Sequence, residues 1–211
     1  MKLLNPYILI PALVIFSIIH LGNKMNSDNN QSEIITDCNY TLEEALSGKD
    51  IPEEIKADQR IVEVYYFSFD NKLHKGQVVI QKDLVEDIKW IFEKIKGNEF
   101  PVDKVIPVVK FNWSDEKSMK ANNSSAFNYR FIANTTKLSN HSTGRAIDIN
   151  PWQNPQIING TTFPSGAKYQ PDKKGTITKN SIIVKLFKEK GWNWGGDWKT
   201  RVDYQHFEKL K

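Results

Sequence analysis

Apolar residues recur at helical spacing at Leu84, Ile88, Ile91 and Ile95, behind Asp83 and ahead of Gly97. Side chains three or four apart share one helix face, so a helix is predicted over Asp83–Lys96, with Asp83 and Glu86 as a capping box and Gly97 as the stop. A second helix is predicted over Ser181–Lys190, where Ile182, Ile183, Leu186 and Phe187 form one face and Gly191 ends it. Arg60–Asp70 is instead rich in β-branched and aromatic residues, Asp70-Asn71-Lys72 is a turn signal, and Gly76–Gln81 resumes the apolar pattern. That combination predicts a β-hairpin. Ala146–Asn150 and Val202–Glu208 read as two further strands bordered by glycine-rich or polar turns. Strands and helices mixed without regular βαβ alternation indicate an α+β domain, a small antiparallel sheet with flanking helices.

The first residues follow a different rule. Met1–Gly22 carries Lys2 and then an almost uncharged apolar run, about the length needed to cross a bilayer. A cleaved signal peptide shows small residues in an A-x-A-like pattern after its apolar core, whereas this run leads into His20-Leu-Gly-Asn-Lys24. An uncleaved signal anchor is therefore favoured over a removed signal peptide. From 23 to 58 the chain is polar and mixed, with little apolar periodicity beyond Leu42, Ala45 and Leu46, and reads as a tether carrying one short helix. Residues 59–211 remain for a single domain, which suits a chain of 211 residues.

Composition narrows the compartment and the partners. The formal charge of +4 comes from lysines interleaved with acids, a solvated surface and not a nucleic-acid groove. Cys38 is the only cysteine, so no intramolecular disulfide forms, and it lies too far past the apolar run for lipid attachment; it reads as an incidental linker residue. Asn140-His141-Ser142 is one of several glycan acceptor sequences, and a sugar there would cover a candidate metal ligand, which favours a bacterial export route to an extracytoplasmic location.

A catalytic zinc takes three protein ligands, usually histidine nitrogens and carboxylate oxygens, and keeps a fourth position open. Of four histidines, His20 falls in the anchor and His74 in the predicted hairpin turn, leaving His141 and His206. His141 and Asp148 are seven apart, too far to share an ion from one helix, so a loop must fold back between them. Gly144 supplies the permissive backbone, and the Ala-Ile-Asp-Ile alternation sends Ile147 and Ile149 to one face and Asp148 to the other. A lone His–Asp pair of this kind is also compatible with a surface loop residue and a turn cap.

Ser139-Asn-His-Ser-Thr-Gly-Arg-Ala-Ile-Asp148 resembles the S-x-H-x-x-G-x-A-x-D motif of the M15 metallopeptidases, the D-alanyl-D-alanine carboxypeptidases and cell-wall endopeptidases. Downstream, Trp192-Asn-Trp-Gly-Gly-Asp-Trp198 and Asp203-Tyr-Gln-His206-Phe resemble that family's glycine-tryptophan turn and terminal ligand motif, and the run through Phe127-Asn-Tyr-Arg130 fits upstream. The resemblance spans Arg60 to the C-terminus and implies the Hedgehog/DD-peptidase-like fold. It also implies Zn2+ bound by His141, Asp148 and His206, Asp203 as catalytic acid–base, Arg130 polarising the scissile carbonyl, and a hydrogen-bonding support from Ser139. On proximity alone Glu208 competes with Asp203 as the base, and Arg130 equally suits holding a loop carboxylate. Arg145 is expected in solvent, and Trp192, Trp194 and Trp198 are as well suited to packing as to lining a cleft.

The implied partner is the peptidoglycan stem peptide, with the membrane touched only through the N-terminal segment. The family's D,D-carboxypeptidase branch places Glu three residues before the last histidine, whereas the branch cutting between L-alanine and D-glutamate carries Asp, as this chain does at Asp203. The resemblance thus points to an L-alanyl-D-glutamate endopeptidase, with a carboxypeptidase or a zinc-containing wall-binding module without turnover as the alternatives.

Overall fold

Nine consecutive cross-strand pairs, from Gln59↔Gln81 to Phe67↔Leu73, organise the first half of the domain. The computed structural model describes Met1 and residues 33–133 and 135–211. Apart from Met1, the expected anchor and the start of the tether lie outside the described residues. No described helix is long and apolar enough to cross a membrane.

In chain order the elements are β1 (Ile35–Thr36), α1 (Leu42–Ala45), α2 (Glu53–Ala57), β2 (Gln59–Phe67), β3 (Leu73–Gln81), α3 (Val85–Gly97), β4 (Lys104–Val105), α4 (Asp115–Lys120) and β5 (Asn123–Ser124). They continue with β6 (Ala146–Asp148), β7 (Gln156–Ile158), β8 (Thr161–Phe163), α5 (Ile182–Glu189), β9 (Asn193–Trp194), β10 (Val202–Asp203) and β11 (His206–Glu208). The period-two pattern of β2 and β3 turns Val62, Val64, Tyr66, Val78 and Ile80 inward, and Ile88, Ile91, Phe92 and Ile95 of α3 close over them. Ile183, Leu186 and Phe187 of α5 join the same core, with Phe187 stacked on Phe207 of β11 at 3.9 Å between ring centres. Both predicted helices and the hairpin therefore form where their periodicities place them.

The chain is α+β, but its strands do not make one small antiparallel sheet. Among the described residues there are three three-stranded sheets, β1-β3-β2, β10-β7-β8 and β6-β11-β9, and the pair β4-β5; β1–β3 and β4–β5 are parallel. The segment Val202–Glu208, expected as one strand, divides between two of these sheets. At the break, the Tyr204 carbonyl accepts from the Trp194 side-chain Nε1 at 2.9 Å and so leaves the ladder, while the Gln205 carbonyl accepts from the Ile149 amide at 3.0 Å and continues the β6–β11 register.

Four local expectations are corrected. Residues 33–58 were expected as tether with one short helix, yet β1 adds to the edge of β3, and two helices form. Thr41 and Glu44 make a capping box there, and Ala45, Leu46 and Ile51 pack with Val79 and Phe127. Segments this short give no periodicity to read. The capping box expected at Asp83 is absent: Gln81 accepts from the Asp83 amide, a 3-10 turn covers Lys82–Leu84, and the helix starts at Val85. Asp83 is drawn instead to Arg145, which is buried and not in solvent; its NH1 lies 2.8 and 3.0 Å from the two Asp83 oxygens. His74, expected in the hairpin turn, lies in β3 with Nδ1 2.9 Å from Asp37 and Nε2 3.3 Å from Asp70.

Candidate active site

The loop that must fold back between His141 and Asp148 is a 3-10 turn, Asn140–Thr143. Ser139 begins it, its Oγ accepting from the His141 amide at 3.3 Å, and Gly144 ends it at φ +67°. A side chain at Gly144 would also meet the Gln81 amide nitrogen, 2.6 Å from the Cβ position, so both the left-handed backbone and the space demand glycine. The chain then enters β6, where Ile147 and Ile149 are wholly buried in the core and Asp148 faces the other way, as the alternation predicts.

Register supplies the second histidine. Asp148 of β6 stands directly opposite His206 of β11 in an antiparallel pair, so their side chains share a face. His206 Nδ1 lies 3.0 Å from Asp148 Oδ1, His141 Nε2 lies 3.3 Å from Asp148 Oδ2, and the two nitrogens are 3.2 Å apart. The three expected ligands thus converge, with all ligand atoms within 4.8 Å of one another. Bonds of roughly 2.0–2.2 Å in a tetrahedral zinc site put neighbouring ligand atoms about 3.3–3.5 Å apart, close to these separations.

The outer nitrogens of both imidazoles are already engaged. His141 Nδ1 lies 2.6 Å from the Ala126 carbonyl, which accepts its proton and leaves Nε2 with a free lone pair. His206 Nε2 lies 3.1 Å from Glu208 Oε2, an oxygen that also accepts from Asn140 Nδ2 at 2.6 Å, and Nδ1 is left to face Asp148. Such partners fix tautomer and ring orientation at metal sites, so the donor set fits zinc. Glu208, the competing base by proximity, is occupied in holding His206. Asn140 and Glu208 are partners sequence reasoning missed as a pair; their 68-residue separation gave no signal.

Burial opposes ionisation of Asp148, but His141 and His206 beside it hold its carboxyl well below the usual carboxylate range. Burial likewise disfavours the charged form of His206, yet hydrogen bonds to Asp148 and Glu208 raise its pKa to about 10 in the metal-free protein. Asp203 behaves oppositely: burial, with the Asp148 charge adding to it, pushes its carboxyl up to about 6 against the pull of His206. Its Oδ2 accepts from Gln156 Nε2 at 2.6 Å, whereas its buried Oδ1 has no partner. Gly195 packs against this segment: a Cβ there would lie 2.6 Å from the Asp203 carbonyl oxygen, 2.9 Å from Asp203 Cβ and 3.2 Å from His206 Cβ.

Arg130 is tied to the same loop through its backbone, its amide donating to Ser142 Oγ at 2.8 Å and its carbonyl accepting from the Ser139 amide at 3.0 Å. Its guanidinium is 3.0 Å from Asp115, the loop-carboxylate contact that arginine chemistry allowed, and its buried Nε has no partner. Ser139, Arg130, Asp203 and the three expected ligands line one cleft of about 300 Å³. Of the tryptophans, Trp192 and Trp194 are buried in the core, whereas Trp198 lines this cleft with its ring centre 5.2 Å from that of His206. A larger hollow of about 660 Å³ beside β2 and α3 holds charged residues of both signs but no histidine, and gives no comparable chemistry.

No curated protein and no solved structure matches the chain. A family model described as D-alanyl-D-alanine carboxypeptidase, from the M15 peptidases, matches residues 133–209. That span holds Ser139, the converging His141, Asp148 and His206, and Asp203; Arg130 lies just outside it. Over these residues the chain is similar to the M15 peptidases, which supports a peptide-hydrolase activity.

Proposed function

We propose that the chain is a zinc-dependent peptidase of the M15 type that hydrolyses the L-alanyl-D-glutamate bond of bacterial peptidoglycan stem peptides. The observation that carries the reading is the pairing of two unlike carboxylates in one cleft: Asp148 held ionised among the histidines, and Asp203 raised to about 6 with one oxygen free. One is suited to hold a cation, the other to exchange a proton near neutral pH. Asp rather than Glu three residues before His206 supports the endopeptidase bond by resemblance.

His141 Nε2, Asp148 and His206 Nδ1 would hold the ion. The chemistry zinc supplies at such a site is Lewis acidity toward a carbonyl and a lowered pKa for water. Asp203 takes the proton of the attacking water on Oδ1 and returns it to the leaving amine, while the hydrogen bond from Gln156 keeps Oδ2 fixed. Arg130, steadied by Asp115, presents positive charge where the carbonyl oxygen gains negative charge. The apolar run Met1–Gly22 supports a place on the outer face of the membrane, held there by an N-terminal anchor. An export assay that finds the chain free in the medium contradicts that placement.

The family description favours one second reading, release of terminal D-alanine as a carboxypeptidase. Mass spectrometry of defined stem peptides, incubated with the zinc-loaded chain, separates the two. A new D-glutamate amino terminus supports the endopeptidase; loss of D-alanine alone replaces it with the carboxypeptidase.

A further inference from the structure

Every carboxylate that lines the cleft already has a partner in the protein. Asp115 pairs with Arg130, Asp148 with both histidines, Asp203 with Gln156, and Glu208 with His206 and Asn140. Two guanidinium groups line the same space, and Arg130 is matched by Asp115. The other, Arg201, is exposed and has no carboxylate partner among the described residues. It does not stand loose, because its guanidinium carbon lies 4.6 Å from the centre of the Trp198 ring, and that indole lies against the imidazole of His206. Stacking on an indole face holds an arginine by cation–π attraction and leaves its in-plane N–H donors free for a carboxylate, which they engage two at a time. One indole therefore separates an unmatched cation from an expected metal ligand.

We infer that Arg201 is a specificity-determining residue that binds a free carboxylate of the substrate beside the scissile bond. Resting on the endopeptidase reading, that carboxylate is the α-carboxylate of D-glutamate, which stays free where the stem peptide continues through the glutamate side chain. Arg130 cannot serve equally, because the proposed reaction commits it to the scissile carbonyl and its guanidinium is already held by Asp115. The recognised chemistry is a D-glutamyl acid, and its α-amide lacks the negative charge Arg201 requires.

The test compares two synthetic stem peptides that differ only in that group, α-carboxylate or α-amide, as substrates of the zinc-loaded full chain. The acid is expected to have a kcat/KM about tenfold or more above the amide. Arg201→Gln is expected to bring the ratio close to one, and Arg201→Glu to invert it. Calorimetric binding of both peptides to the metal-free chain should show the same preference and the same loss in the variants, without turnover. Thermal melts establish that the variants fold. Equal cleavage and binding of acid and amide by the wild-type chain overturns the role of Arg201 and leaves the endopeptidase standing. Cleavage of neither peptide at the alanyl-glutamate bond overturns both.

Discussion

Asp148 and His206 oppose each other in the antiparallel pairing of β6 with β11, and the His206 Nδ1 that faces Asp148 is 3.0 Å from its carboxylate. A backbone register therefore sets the spacing of two of the three proposed ligands, and only His141 depends on a loop. The loop is itself fixed by Gly144 and by the Ala126 carbonyl at His141 Nδ1. Preformed donors of this kind bind metal without the cost of ordering a chain segment.

The partners of the ligands should matter almost as much as the ligands. Glu208→Gln keeps the shape but loses the charge that accepts from His206 Nε2, so zinc affinity is expected to fall about 10- to 100-fold. Competition against a chelator of known affinity measures it. His141→Ala removes a ligand and is expected to abolish stoichiometric zinc at the same concentration.

Gly195→Ala tests the packing that joins the glycine turn to the site. A methyl group within 2.9 Å of Asp203 Cβ and 3.2 Å of His206 Cβ forces one of them to move. Displacement by a fraction of an ångström is costly at a catalytic centre, and kcat/KM is expected to drop about 100-fold while the far-ultraviolet circular dichroism stays that of the wild type. An unaltered kcat/KM would show that the turn does not position these residues.

The ion pair of Arg145 with Asp83 lies behind the metal loop, and Arg145 Nε also donates to the Lys209 carbonyl at 2.9 Å. Arg145→Ala leaves that carbonyl without its donor and Asp83 without its partner. The expected loss is roughly 2–4 kcal/mol of unfolding free energy, less than for a fully buried pair because Asp83 is half exposed. Urea denaturation checks it.

His74 gives the fold a pH dependence remote from the site. Burial works against its charge, but hydrogen bonds to Asp37 and Asp70 outweigh burial and raise its pKa above the usual histidine value. A raised folded pKa means that the stabilisation is complete below the unfolded value of about 6.5 and is lost as pH climbs through the folded one. His74→Gln is expected to cost about 1–2 kcal/mol at pH 6 and to approach wild-type stability in alkaline solution. Parallel melting curves against pH would contradict this.

How far the sequence could be read depended on the range of the signal. Periodicity located α3 and α5 within a residue or two, and the strands of the β2–β3 hairpin within three, because burial on one face leaves a repeating pattern. The convergence of His141, Asp148 and His206 was legible because the motif keeps short spacings intact, and Gly144 announces its own turn. Arg145 was misread because its partner Asp83 is 62 residues away, and nothing local marks it as buried. Sequence separation likewise hides the bond from Asn140 to Glu208, 68 residues apart, and the addition of β1 to β3. Arg201 gave no signal either, since its meaning lies in the indole beneath it and in the absence of a neighbouring acid.

The central claim is that one carboxylate in the cleft holds the ion and another moves the proton. Asp203→Asn tests it most directly, with bound zinc and stem-peptide turnover measured on the same preparation. The account expects zinc at the wild-type stoichiometry and turnover lower by about 100-fold or more. Turnover that survives the substitution would contradict the role of Asp203, and zinc lost along with activity would make Asp203 part of the metal site.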